Sequence, residues 1–271
     1  MSRLGMDFYL YGPKEDLYHR IEWDKAYPVK EQKILRDLTI ICKKNKIRPI
    51  FAISPGLKSS NVSISDKKNL ILKIKQAQKL GFKEFAIFFD DINHERNGTL
   101  AESHLEMIEI VSSIDKVEYE DLFICPTVYC TSFAQGDLEN NTYLRVLASE
   151  IDPRVSIFWT GDEVVSETIP QKGLKDIRGL FSNPLIIWDN FYANDYCPSR
   201  FYIGPYKGRK SIYKFASAVG INPTGLPITD MICLSRFMSD LTDRQILDEY
   251  KIPKEFSKIL PYFTNPFREL P

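Results

Sequence analysis

The stretch EFAIFFDD, residues 84–91, runs five apolar residues straight into two adjacent aspartates. A strand covered by protein on both faces reads as a continuous apolar run, which is the mark of a parallel sheet. Six further runs share this character: FYLYGP (8–13), RPIFAIS (48–54), FICPTVY (123–129), VSIFWTG (155–161), PLIIWDN (184–190) and, more weakly, FASAVGINP (215–223). Helical patterns fill the intervals. Residues 28–46 place Ile34, Leu35, Leu38, Ile41 and Cys42 at helical spacing behind Pro28. Residues 64–80 do so with Leu70, Ile71, Ile74, Ala77 and Leu80, with Ser65 as the expected cap and Gly81 as the stop. Residues 99–115, 139–150 and roughly 234–250 read as helices too. Strand, loop and helix in repetition predict an α/β fold with right-handed crossovers.

Polar residues gather where these strands end: Lys14, Asp90, Asp91, Tyr129, Thr160, Asp189, Asn190 and Asn222. In a β/α barrel that rim is where the chemistry sits. An open doubly wound sheet would carry a Gly-rich phosphate turn after its first strand, and none occurs. The expected fold is therefore a (β/α)8 TIM-barrel type, incomplete in this chain, which supplies seven strands and begins almost directly on one at Phe8. Residues 1–240 are expected to form the barrel, and residues 241–271 a helical extension and tail of the same domain.

The 271 residues carry 36 Lys plus Arg against 36 Asp plus Glu, a net charge of zero that argues against a general nucleic-acid binder. Five scattered cysteines without a CxxC pair argue against a zinc site or disulfide framework. No apolar stretch reaches membrane-spanning length, and the N-terminus does not read as a signal peptide. The expectation is a cytoplasmic protein with no membrane partner, no metal and no cofactor.

Two carboxylates at the exit of a buried strand are costly unless solvated or paired, and their proximity pushes their pKa values apart. That suits an acid beside an anion; a helix N-cap is the competing explanation. WDNFYAND (188–195) sets aromatic rings among Asn and Asp, a combination that can hold sugar hydroxyls or simply form Asx turns. Lys14, Tyr129 and Trp159 are ambiguous in the same way. His19, His94 and His104 lack metal-ligand spacing, and no GxSxG elbow occurs.

Taken together, YLYGPKEDLYHR (9–20), FAISPGL (51–57), FAIFFDDI (85–92), CPTVYC (125–130), YLRVLASEIDPRVSIFWTGDEVVS (143–166), WDNFYANDYCPSRFYIGPYKGR (188–209) and GINPTGLP (220–227) resemble glycoside hydrolase family 84, the O-GlcNAcase and bacterial β-N-acetylglucosaminidase family. The resemblance implies a (β/α)8 barrel and substrate-assisted, retaining hydrolysis of β-linked N-acetylglucosamine from glycoproteins or glycosides, an exception to the covalent two-carboxylate scheme. It implies that Asp90 orients the 2-acetamido group and that Asp91 is the general acid and base. Tyr129 and Asn190 would position the acetamido group, and Asp195 would hold outer sugar hydroxyls. Lys14 and Asn222 would contact the sugar or its surroundings, and Trp188 would wall the pocket. By these roles, Asp91 should have a raised pKa and Asp90 should stay anionic. The family's first βα unit, with its Glu-Gly-Phe-Tyr-Gly motif, is not found before Phe8. Such an open barrel exposes strand edges and invites a homo-oligomer that covers them. A non-catalytic relative that binds N-acetylglucosamine-bearing ligands is the alternative.

Overall fold

A computed structural model of the chain describes residues 1–55, 62–92, 94–196, 206, 208–238, 245, 248, 251 and 255. Its centre is one parallel sheet of seven strands in chain order: β1 (Phe8–Tyr11), β2 (Arg48–Ile53), β3 (Glu84–Phe88), β4 (Leu122–Cys125), β5 (Ser156–Trp159), β6 (Leu185–Asp189) and β7 (Ala218–Ile221). Every neighbouring pair is parallel, so each connection returns over the same face, and the sheet curls into a partial barrel. The seven runs read from the sequence are the seven strands. The edge strands β1 and β7 do not pair with each other, yet a Cβ added at Gly220 on β7 would lie 3.7 Å from the Phe8 ring of β1. An aromatic ring thus spans the gap where backbone pairing stops.

A period of two is hidden inside the apolar runs. Phe51, Ile53, Phe85, Ile87, Leu122, Ile124, Ile157, Trp159, Leu185 and Ile187 join the outer core beneath the helices. Their neighbours Ile50, Ala52, Ala86, Phe88, Phe123, Cys125, Phe158 and Ile186 form a second cluster inside the curl. Both faces are therefore dry, which is why the sequence shows no polar alternation. Each Phe, Ile or Leu so buried contributes about 1.5–3 kcal/mol before chain entropy is charged against it.

The helices covering the outer face are α1 (Val29–Lys44), α2 (Ile64–Leu80), α3 (Gly98–Ser112), α4 (Thr142–Glu150), α5 (Gln171–Leu180), α6 (Ile212–Phe215) and α7 (Pro227–Met238). On α1 the residues turned inward are Leu35, Thr39 and Cys42, whereas Ile34 and Ile41 are exposed. The cap of α2 is Ser63 rather than Ser65: its hydroxyl accepts from the Asp66 amide and the Asp66 carboxylate accepts from the Ser63 amide, a capping box. Gly81 ends α2 at a φ of +106°, where a side chain would be strained and would meet the Thr39 hydroxyl. Helix α7 begins earlier than the periodicity suggested, and of residues 239–271 only four positions are described.

Candidate active site

Alternation along β3 sends Ala86 and Phe88 into the curl, and Asp90 continues that register. Asp91 should then face the helices. Instead its backbone takes a left-handed φ of +52°, uncommon for any residue but glycine and costing of order 1–3 kcal/mol unless held in place. The turn re-aims Asp91 so that its carboxylate meets Lys14 (3.2 Å), Arg20 (3.4 Å) and the Tyr129 hydroxyl, which donates across 3.3 Å.

Packing behind the turn fixes it. The Thr127 hydroxyl donates to the carbonyl of Phe89 at 2.8 Å, and the Phe89 amide donates to the Cys125 carbonyl at 2.8 Å. The Thr127 amide donates to the Tyr143 hydroxyl, which lies 3.0 Å from Nδ1 of the buried His104. The His104 ring in turn stacks on Phe89 at 3.8 Å. Burial lowers the pKa of His104 to about 3, so the ring is neutral and its Nδ1 can accept the tyrosine proton. The peptide that enters the aspartate pair is therefore anchored from two directions.

Asp90 has an Arg20 nitrogen 3.8 Å from Oδ2, while its Oδ1 is buried and has no hydrogen-bond partner among the described residues. Burial first, and the charge of Asp91 second, push the Asp90 carboxyl above its ordinary value against the pull of Arg20 and Lys14. For Asp91, burial also pushes upward, but Lys14, then Arg20 and the Tyr129 hydroxyl outweigh it and leave the pKa lowered. This corrects the order expected from the sequence. In the unliganded site Asp91 is the anion and Asp90 is the carboxyl that keeps its proton more readily. The reason is that two cations from the segment after β1 lie on Asp91.

Lys14 also lies 3.6 Å from Asp195, beyond β6, and both side chains are more than half exposed. Asp91, Lys14, Tyr129 and Asp195 are thus joined by direct contacts, and Arg20 ties Asp90 to the same group, although Asp90 and Asp195 are far apart in the chain. Asn190 and Asn222, at the ends of β6 and β7, bond to each other: Asn222 Nδ2 donates to Asn190 Oδ1 at 3.0 Å. Asn190 Nδ2 donates to the Val164 carbonyl at 2.7 Å. One amide hydrogen and one lone pair of Asn190 stay available. Trp188 packs its ring edge-on against Phe88 (5.1 Å) and Phe158 (5.2 Å), which links the β6 end to the strand that carries Asp90.

Sequence reasoning did not find Arg20, although it sits inside the quoted string YLYGPKEDLYHR; nothing in its spacing marks it. It also placed Asp189 with the rim residues. By alternation with Trp188, Asp189 lies on the other face, fully buried, bonded to Arg209 Nε (2.9 Å) and to the Tyr206 hydroxyl (2.6 Å). Arg209 also donates to the carbonyls of Ser166 and Glu167. That group ties the end of β6 to two connecting segments and is structural.

Comparison with known proteins agrees with this fold. The Protein O-GlcNAcase of Mus musculus is 34% identical over 217 residues, covering 78% of this chain and 24% of the mouse protein, and that of Rattus norvegicus matches to the same extent. The chain therefore spans about a quarter of the length of these curated relatives. An O-GlcNAc hydrolase of Thermobaculum terrenum superposes with a TM-score of 0.84 at 26% identity, covering 99% of this chain and 62% of that one. The structure of CpGH84B shares the fold with a TM-score of 0.79 at 24% identity, over 97% of this chain and 49% of the other. A sequence model of β-N-acetylglucosaminidases matches residues 1–266, and the chain belongs to that family of glycoside hydrolases, family 84.

Proposed function

We propose that this chain hydrolyses terminal β-linked N-acetylglucosamine from glycoproteins or glycosides, with the substrate's own acetamido group as nucleophile. The observation that carries the reading is the buried Oδ1 of Asp90, unpartnered among the described residues, beside a carboxylate held by an exposed lysine. A buried acceptor without a donor is costly, and an acetamido N–H is a donor of the right kind to meet it. Asp90, as the anion, accepts that N–H, and the acetamido oxygen attacks the anomeric carbon. The bond to the leaving oxygen breaks as Asp91 donates its proton there, and an N-protonated oxazoline forms, its N–H still held by the Asp90 carboxylate. Water then adds at the anomeric carbon, gives its proton to Asp91, and the oxazoline opens to the sugar with its β configuration retained.

In the free site the Asp90 carboxyl is pushed upward and that of Asp91 downward, the reverse of the order this sequence of steps needs. The rim contacts suggest the remedy. Lys14 is shared between Asp91 and Asp195, both partly exposed. Sugar hydroxyls seated on Asp195 draw Lys14 away, Asp91 loses its strongest counter-charge, and the proton passes from Asp90 to Asp91. A close carboxylate pair titrates as a unit, so this transfer within the pair is a small rearrangement. Tyr129 and Asn190 position the acetamido group, Trp188 walls the sugar ring, and Asn222 orients Asn190.

The test is hydrolysis of an aryl β-N-acetylglucosaminide, with the first-formed anomer read by proton NMR. The expected product is the β anomer. Initial release of the α anomer would refute the oxazoline route. Binding of N-acetylglucosamine without turnover would favour the alternative of a sugar-binding relative.

A further inference from the structure

We propose that Arg20 is a positioning residue of this site, the resident counter-ion that bridges the Asp90 and Asp91 carboxylates while Lys14 serves as the exchangeable one. The inference rests on the reading of the pair given above.

The two cations differ in how they are held. The Lys14 side chain is 54% exposed and is shared with Asp195, whereas the Arg20 side chain is 13% exposed. One guanidinium nitrogen faces Asp90 Oδ2 at 3.8 Å and the other faces Asp91 Oδ2 at 3.4 Å. A planar fork can face two carboxylates at once, which a lysine ammonium does with poorer geometry. The backbone at Arg20 is fixed from beneath. The neighbouring His19 is buried, its Nδ1 lies 2.8 Å from the Ala52 carbonyl, and its own carbonyl accepts from the Ser54 amide at 3.0 Å. Burial lowers the His19 pKa to about 4, so the ring is a neutral donor to Ala52 and adds no second charge. When a sugar displaces Lys14, Arg20 stays and keeps a positive charge facing both carboxylates.

Among the described residues, the charged and titratable groups that act on the pair are Lys14 and Arg20 after β1, Cys125 at the end of β4, Tyr129 after it, and Asp195 beyond β6, the last acting through Lys14. Of these, Arg20 and Lys14 alone are cations. Removing Arg20 must therefore raise the titration of both aspartates, because a nearby positive charge favours the ionised form.

The experiment is a carbon-13 carboxyl NMR titration of the intact chain, with Asp90 and Asp91 assigned through Asp90→Asn and Asp91→Asn. In Arg20→Gln both titrations are expected to move up by about one unit, the lower end for an opposite charge at this distance given partial exposure. The pH profile of kcat/KM should move upward with them. Arg20→Lys keeps the charge but not the fork, so one of the two titrations should stay near its wild-type position while the other rises. Unmoved titrations in a folded Arg20→Gln protein would overturn the proposal. If Arg20→Gln does not fold, Arg20→Lys decides, and two unmoved titrations there overturn it equally. Failure of the wild-type chain to hydrolyse any N-acetylglucosaminide would instead remove the functional reading, and the titrations would still show whether Arg20 governs the pair.

Discussion

Asp91→Asn is expected to slow hydrolysis of substrates with poor leaving groups by about 10²–10⁴-fold, the usual contribution of a general acid. Activated aryl substrates, whose leaving oxygen needs little protonation, should lose far less. Asp90→Asn should slow both kinds, because without the anion the acetamido oxygen is a weaker nucleophile and the positive charge of the forming oxazoline is unopposed. The fold should tolerate both changes. Asp91 is 38% exposed and its removal leaves Lys14 at a wet rim, while Asp90 is already the carboxyl that resists ionisation. Plots of log(kcat/KM) against leaving-group pKa for the two variants check this. Equal slopes would show that the roles are wrongly divided, even in an active enzyme.

Arg209→Met is expected to cost about 3–5 kcal/mol, the scale for stranding one half of a buried ion pair. Asp189 is 1% exposed and would keep only the Tyr206 hydroxyl and the Phe191 amide as donors. The carbonyls of Ser166 and Glu167 would lose their guanidinium donors, and the cation over the faces of Phe191 and Tyr206 would be gone. Urea unfolding measures the loss. Adding Asp189→Leu to Arg209→Met should recover part of it, since an apolar pair avoids the uncompensated charge, although the Phe191 amide then loses its acceptor. A single variant as stable as wild type would show that this face of β6 is wetter than its geometry implies.

How much of this was readable in advance follows from how local each feature is. The strands were legible because a strand dry on both faces is apolar along its run, as Phe85–Phe89 is, while the half-buried edge strand β7 gave the weakest signal. Helix α5 leaves little trace in the sequence: Gln171–Leu180 carries two glycines, and Leu174 and Ile177 alone are buried on it. The sequence pointed to Ser65 for the α2 cap, whereas the capping box with Asp66 belongs to Ser63. At the site, the residues carried over from the family resemblance fall at or just beyond the strand ends; Lys14, Asp91, Tyr129 and Asp195 are linked by contacts, and Asn190 bonds to Asn222. What the sequence hid is the charge balance. Arg20 and Asp91 are 71 positions apart, and only the return of the chain beside β3 brings the cation to the carboxylate. That contact, with Lys14, inverts the order of the two aspartate pKa values. Likewise, one-residue alternation decides that Asp189 faces Arg209 while Asn190 faces Asn222.

The central claim is that the substrate's acetamido oxygen, steered by Asp90, is the nucleophile. Its most direct test is to compare kcat/KM for aryl glycosides whose N-acetyl group is replaced in turn by mono-, di- and trifluoroacetyl. Each fluorine withdraws electron density from that oxygen and changes little else. The account predicts a steep, continuous fall in rate along the series. A rate independent of fluorination would contradict it and assign the attack to a group of the protein or to water.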